Sequence, residues 1–349
     1  MKAVVVHGAG DLRIDRLPDP VPGDGQVLLA MEWGGICGSD VSYWRHGSSG
    51  TAALKQPMVL GHEVAGRVAR VGRGVAGVEV GQPVTVHPAE LVGDGVLPNR
   101  LAGRTNLYPR VRYFGSAAFH PHTDGGFSEF KLVRAEQLRP LPEGVSTRGG
   151  ALAEPLAVAM HAVSRAGELR GRTVLVNGAG PIGCLVVAAA KFHGAPTVVA
   201  TDISEPALSL ASQLGADEVR DLGSGDALPD DVEVVFEASG VPTALGPVLR
   251  ATARGGTLVQ VGNLPGDAAA ATLGDLVTRE ITWIGSYRFI EEIGDALRAM
   301  RDGLDVSPLI THAFDLERAA DALALAADPT TASSRVMLRL GTNGTGEGR

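Results

Sequence analysis

Thr173-Val174-Leu175-Val176-Asn177-Gly178-Ala179-Gly180-Pro181-Ile182-Gly183 is the stretch that decides the fold. Its first five residues form a strand without a polar face, as suits a strand covered on both sides. G-x-G-x-x-G follows at once and opens a helical run, Pro181–His193. A lone G-x-G-x-x-G says little in a glycine-rich chain, but between a strand and a helix it is the dinucleotide-binding fingerprint. Gly178 permits the tight turn, Gly180 lets backbone approach a pyrophosphate, and Gly183 allows close helix–strand packing. Pro181 and Ile182 open the helix, whose free N–H groups favour a phosphate. Asp202, nineteen residues after Gly183, ends the next strand. Its carboxylate suits ribose hydroxyls and repels a 2′-phosphate. No Arg follows it in Ile203-Ser204-Glu205-Pro206, so NAD is favoured over NADP.

Outward from this stretch the alternation continues. Strands are expected at Thr197–Asp202, Glu233–Glu237, Gly256–Gly262 and Ile281–Ser286, and helices at Glu205–Leu214 and Phe289–Gly303. Strand–helix alternation with wholly apolar strands means a doubly wound parallel sheet, an α/β class. Upstream, Gly150–Gly167 reads as a helix, with Glu154 and His161 on one face. The first 150 residues differ. Lys2–His7, Gln26–Trp33, Glu63–Val71 and Pro83–His87 read as short strands between Gly and Pro, a small barrel-like β domain. The expected organisation is a β domain over 1–150, a dinucleotide domain over 151–288, a return to the first domain over 289–340, and a frayed tail at 341–349.

Composition narrows the function. The 349 residues suffice for two domains, and a net charge of −8 argues against a nucleic-acid surface. Two cysteines make no disulfide framework. Met1–Val6 meets His7 and Asp11 too soon for a signal peptide, and the apolar run Cys184–Ala190 is too short to span a bilayer. The expectation is a cytoplasmic protein with neither nucleic-acid nor membrane partners.

The second signal lies in the β domain. Cys37-Gly38-Ser39-Asp40 and Gly61-His62-Glu63 carry a thiol, an imidazole and carboxylates, the donors of an open zinc site. Spacing alone does not tie Cys37 to His62. The third ligand is Glu63 or Glu154, the latter in Ala153-Glu154-Pro155. Asp40 is placed to orient His62 by a hydrogen bond, and Ser39 to carry a proton outward. A metal site with a dinucleotide loop suggests hydride transfer between an alcohol and a nicotinamide.

The ordered segments Gly34–Asp40, Met58–Val64, Phe114–Ala117, Asp124–Phe127, Ala153–Val158, Gly180–Leu185 and Gly285–Phe289 resemble the zinc-dependent medium-chain alcohol dehydrogenases, in particular their polyol branch. The resemblance spans the whole chain. It implies a GroES-like catalytic domain, a Rossmann domain, and a homo-oligomer, dimer or tetramer. It also implies a small polyol or sugar-acid substrate. Cys37 and His62 match zinc ligands. Glu63 and Glu154 match acids that reach zinc directly or through water. Tyr43, Arg288 and Phe289 match substrate positions. Ile182, Asp202, Val261-Gly262-Asn263 and Ser286-Tyr287 match cofactor contacts. Another secondary alcohol, or a non-catalytic dinucleotide-binding protein, are the competing readings.

One departure stands out. Many relatives hold a structural zinc on four cysteines, and those positions fall here on Asp94, Leu97, Arg100 and Tyr108. A single catalytic zinc is therefore expected, with structural zinc absent and in its place either an Asp94–Arg100 pair, with Leu97 and Tyr108 filling the space, or a loosely ordered loop.

Overall fold

The computed structural model describes residues 1–341. From residue 342 on, the expected tail lies outside them. The chain divides into two units: Met1–Glu154 with the segment from Ile310 on, and Pro155–Leu309. The second crossing thus comes at Ile310, not at the expected 289. Helix Glu292–Arg301 stays with the second unit because Glu292 bonds His161, and Ile293, Ala296 and Ala299 are buried.

In the second unit six parallel strands run in the spatial order Glu218–Asp221, Thr197–Asp202, Thr173–Asn177, Val232–Glu237, Thr252–Gln260 and Thr282–Gly285. In chain order this is 3-2-1-4-5-6, the doubly wound dinucleotide order. The order reverses beside Thr173–Asn177, so the loop at Gly178 sits at the switch point. Thr173–Asn177 and Thr197–Asp202 keep their expected bounds, each built on a run of three buried apolar residues, Val174 to Val176 and Val198 to Ala200. The helix read over Gly150–Gly167 is instead two, Thr147–Gly150 and Ala153–Ala166. Pro155 tolerates only the first turn of a helix, so the second one starts there.

In the first unit the strand Gln26–Gly35 is central. It pairs antiparallel with Glu63–Val71, Phe130–Arg134 and Arg335–Arg339. Its register sets Gly35 opposite Glu63. The chain leaves this strand through Ile36 into Cys37, while His62 immediately precedes the partner strand. Two residues far apart in sequence are thereby brought to one end of the sheet. Ile36 N–H continues the ladder to Val336 O at 2.9 Å, which brings Arg335 to the same end.

Phe127 locks this end. It is fully buried. Its N–H donates to Leu60 O, and Gly126 N–H donates to Gly61 O. Gly61 has φ of +95°, and a Cβ there would fall 2.1 Å from the Phe127 ring. Only glycine lets the chain turn into His62 against that ring. Phe127→Ala is expected to lower stability by about 3–5 kcal/mol, read as a lower urea midpoint; an unchanged midpoint would contradict the packing role.

Candidate active site

Helix Gly38–His46 begins at Cys37, its N-cap. Asp40, the third helical residue, turns back and accepts from Cys37 N–H at 2.9 Å. Its other oxygen accepts from Gly61 N–H at 3.0 Å. The sequence reading paired Asp40 with the His62 ring. Both oxygens are instead held by backbone, and Asp40 staples the Cys37 loop to the His62 loop. Asp40 is fully buried, and burial raises its pKa against the pull of His62.

The result is a compact donor cluster. Ligand atoms of Cys37, His62 and Glu63 all lie within 4.8 Å of one another. Glu63 is buried, and its Oε1 accepts from Arg335 Nη1 at 2.8 Å. Arg335 Nη1 also donates to Ile36 O at 2.9 Å. Glu63 Oε2 is buried without a hydrogen-bond partner. Such an atom is costly unless something else satisfies it. A thiol, an imidazole and a spare carboxylate oxygen fit a divalent metal with mixed N, O and S preference, as zinc has.

Glu154 opens helix Ala153–Ala166 and is buried. It stands apart from the three-residue cluster. Its Oε1 accepts from the Tyr113 hydroxyl at 2.6 Å. The Tyr113 ring stands edge-on to His62, with centroids 5.7 Å apart. Tyr113 and Arg335 escaped the sequence reading. Each sits in no motif, and only long-range pairing brings it here.

Protonation reflects this crowding. Burial pulls the His62 pKa down, but the Cys37 thiol it hydrogen-bonds, with Glu154 and Asp40, outweighs burial and holds it well above its ordinary value. Burial pushes the Glu63 carboxyl up to about 7 against the opposing Arg335.

The second unit supplies the dinucleotide loop. Gly178 has φ of +95°, and a Cβ there would lie 2.6 Å from Ser239 N. A Cβ on Gly183 would strike Gly178 O at 1.8 Å, while nothing lies within 4 Å of the Cβ position on Gly180. The space above Gly180, at the N-cap of helix Pro181–Phe192, is therefore open to a phosphate. Asp202 Oδ2 accepts from Ala179 N–H at 2.6 Å, and Oδ1 from Ile203 and Ser204 N–H. Asp202 thus braces the loop as well as facing it.

Glu237 is a further residue the sequence reading missed. It is fully buried and accepts from Ser239 N–H and Oγ–H, Gly240 N–H and the Gln260 side-chain amide. Its backbone carbonyl takes the N–H groups of Val261 and Gly262. Through its carboxylate and its carbonyl, Glu237 therefore binds together the loops after two strands, at Ser239-Gly240 and at Val261-Gly262. Ser286 Oγ is buried without a hydrogen-bond partner, and Tyr287 is exposed.

The family models agree with this arrangement. The alcohol dehydrogenase GroES-like domain matches residues 23–143, and the zinc-binding dehydrogenase domain matches residues 181–302. Sorbitol dehydrogenase of Bos taurus is 40% identical over 332 residues, covering 92% of this chain and 91% of that protein. The chain belongs to the zinc-binding alcohol dehydrogenases. L-idonate 5-dehydrogenase (NAD(P)(+)) of Escherichia coli (strain K12) is 37% identical over 313 residues, covering 88% of this dehydrogenase and 90% of that one. The crystal structure of L-idonate 5-dehydrogenase from Escherichia coli str. K-12 substr. MG1655 superposes with a TM-score of 0.90 at 35% identity, over 97% of this chain and 98% of that chain.

Other expected positions of this dehydrogenase fall as follows. Tyr43 is a core side chain, 3% exposed, whose hydroxyl accepts from Ala117 N–H at 3.0 Å. Ser39 is half-buried beside Cys37. Arg288 adopts φ of +52° and stacks on Tyr287, while Phe289 is buried. In the lobe, Asp94 meets Val96 N–H and the Tyr108 hydroxyl, not Arg100. The Tyr108 hydroxyl reaches Asp94 across the turn at 3.2 Å, and Arg100 is exposed. Among the described residues, no helix is long and apolar enough to cross a membrane.

Metal ligands must shed their protons. His62 and Glu63 both hold protons more tightly than usual, so zinc affinity is expected to fall as pH falls through 7. Chelator competition at pH 6, 7 and 8 checks this; an affinity flat across that range would contradict it.

Proposed function

We propose that this chain oxidises a secondary hydroxyl of a polyol or sugar acid to a ketone, using one zinc and preferring NAD. The convergence of Cys37, His62 and Glu63 on one point carries the reading. The named activities of the relatives supply the substrate class. Bound by these side chains, zinc supplies Lewis acidity toward the substrate hydroxyl, and NAD supplies the hydride acceptor.

The protein does the rest. The alcohol loses a hydride from carbon and a proton from oxygen. Ser39 passes the proton outward. Glu154 binds a substrate hydroxyl. Asp40 and Arg335 hold the donor loops without taking part in the chemistry. Arg288 and Phe289 serve the substrate, and a guanidinium grips the carboxylate of an aldonate through two parallel hydrogen bonds. Asp202, Ile182, Val261, Gly262, Asn263, Ser286 and Tyr287 serve the cofactor. The Asp202 charge disfavours a 2′-phosphate, which supports NAD over NADP. We take the enzyme to work in the cytoplasm as a homo-oligomer, a dimer or tetramer.

A panel of sorbitol, L-idonate and a simple diol, with NAD and with NADP, tests this on metal-quantified protein. NADH absorbance with a polyol or aldonate is expected, and little with NADP. Cys37→Ser should bind NADH yet lose zinc and turnover. Unchanged turnover in zinc-free Cys37→Ser would refute the site.

A further inference from the structure

We infer that Tyr113 is a positioning residue that keeps Glu154 out of the metal's ligand set and free for the substrate. The inference rests on the zinc-site reading above and deepens it.

Two buried carboxylates stand near Cys37 and His62, and they are restrained differently. Glu63 is tied through Oε1 to Arg335, its Oε2 has no hydrogen-bond partner, and one of its carboxylate oxygens belongs to the three-residue cluster. Glu154 is tied through Oε1 to the Tyr113 hydroxyl at 2.6 Å. A phenol donating to a carboxylate at that distance is a charge-assisted bond of the short kind. Among the described residues Glu154 Oε2 accepts no hydrogen bond. Glu154 therefore keeps one oxygen for a ligand while its carboxylate is held by the other.

Tyr113 is itself well anchored. It ends strand Val111–Tyr113, which pairs with Ala89–Leu91, and Tyr113 lies opposite Ala89. Phe114 N–H then donates to Pro88 O at 3.1 Å. The side chain is 6% exposed. Glu154 lies outside the three-residue cluster, and a shift of its carboxylate into the metal's shell works against the 2.6 Å bond that Tyr113 makes to Oε1. Two carboxylates that compete for one cation in relaxed geometry are thus given separate tasks. Glu63 faces the metal, and Glu154 faces the hydroxyl-rich substrate.

Cobalt substitution tests this without any substrate, because the intensity of the Co(II) visible bands drops as coordination number rises. Tyr113→Phe removes only the hydroxyl. It is expected to bind one metal, weaken the cobalt bands, and raise the polyol KM by about tenfold or more with a smaller change in kcat. Glu154→Gln should keep the parent's cobalt spectrum, because Glu154 is no ligand. In the Glu154→Gln background, Tyr113→Phe should change nothing further, since residues that act through one another are not additive.

A parent-like cobalt spectrum in Tyr113→Phe would overturn the proposal. So would an equal spectral change with and without Glu154. Should Tyr113→Phe fail to fold, Glu154→Gln still decides: an altered spectrum places Glu154 among the ligands and ends the proposal. Failure of the zinc-site reading shows separately, as cobalt binding undiminished by Cys37→Ser.

Discussion

The antiparallel register that sets Gly35 opposite Glu63 is the constraint on which the catalytic unit depends. One strand runs out into Cys37, and its neighbour begins just after His62. A slip of one residue would turn every side chain of a strand to the other face, and the cluster would not form. Asp40 and Phe127 guard the same junction from two sides. Asp40 bonds the backbone on either side of the gap. Phe127 fills the space that Gly61 leaves open.

Charge then explains what the junction is for. Asp40, Glu63, Glu154 and the Cys37 thiol are gathered at one end of the unit, against Arg335 and His62. Removing one partner from a buried ion pair such as Glu63–Arg335 typically costs about 3–5 kcal/mol. Arg335 offsets one of the carboxylates, and the backbone donors on Asp40 soften another. An excess of acidic donors remains beside an imidazole, which is an arrangement that takes up a divalent cation. In the second unit two acidic side chains serve a different end. Asp202 and Glu237 are satisfied by backbone N–H groups and side-chain amides. They set loops.

Much of the fold was legible because its signals are local. Apolar strands such as Thr173–Asn177 and Thr197–Asp202 declare themselves over five or six residues. The glycine loop carries its own context. Helix Gly38–His46 was hidden, since Gly38, Ser39, Asp40 and Ser42 present no apolar period. The site was legible in part. Cys37, His62, Glu63 and Glu154 were named from their motifs and the family resemblance. What joins them was not, for it is set by pairing at long range. Arg335 reaches Glu63 across 272 residues, and Tyr113 reaches Glu154 across 41. The Asp40–His62 bond was misread because spacing gives proximity, but not which donor wins a carboxylate.

The proposed site holds a single metal on one thiolate, one imidazole and Glu63. X-ray absorption at the zinc edge, on protein of known metal content, tests it most directly. One zinc per chain is expected, with one sulfur at about 2.3 Å and the remaining neighbours nitrogen or oxygen at about 2.0–2.2 Å. Cys184 is buried with its thiol pushed up to about 12, so it adds no second sulfur. Two zincs per chain, or a shell with no sulfur or more than one, would contradict it.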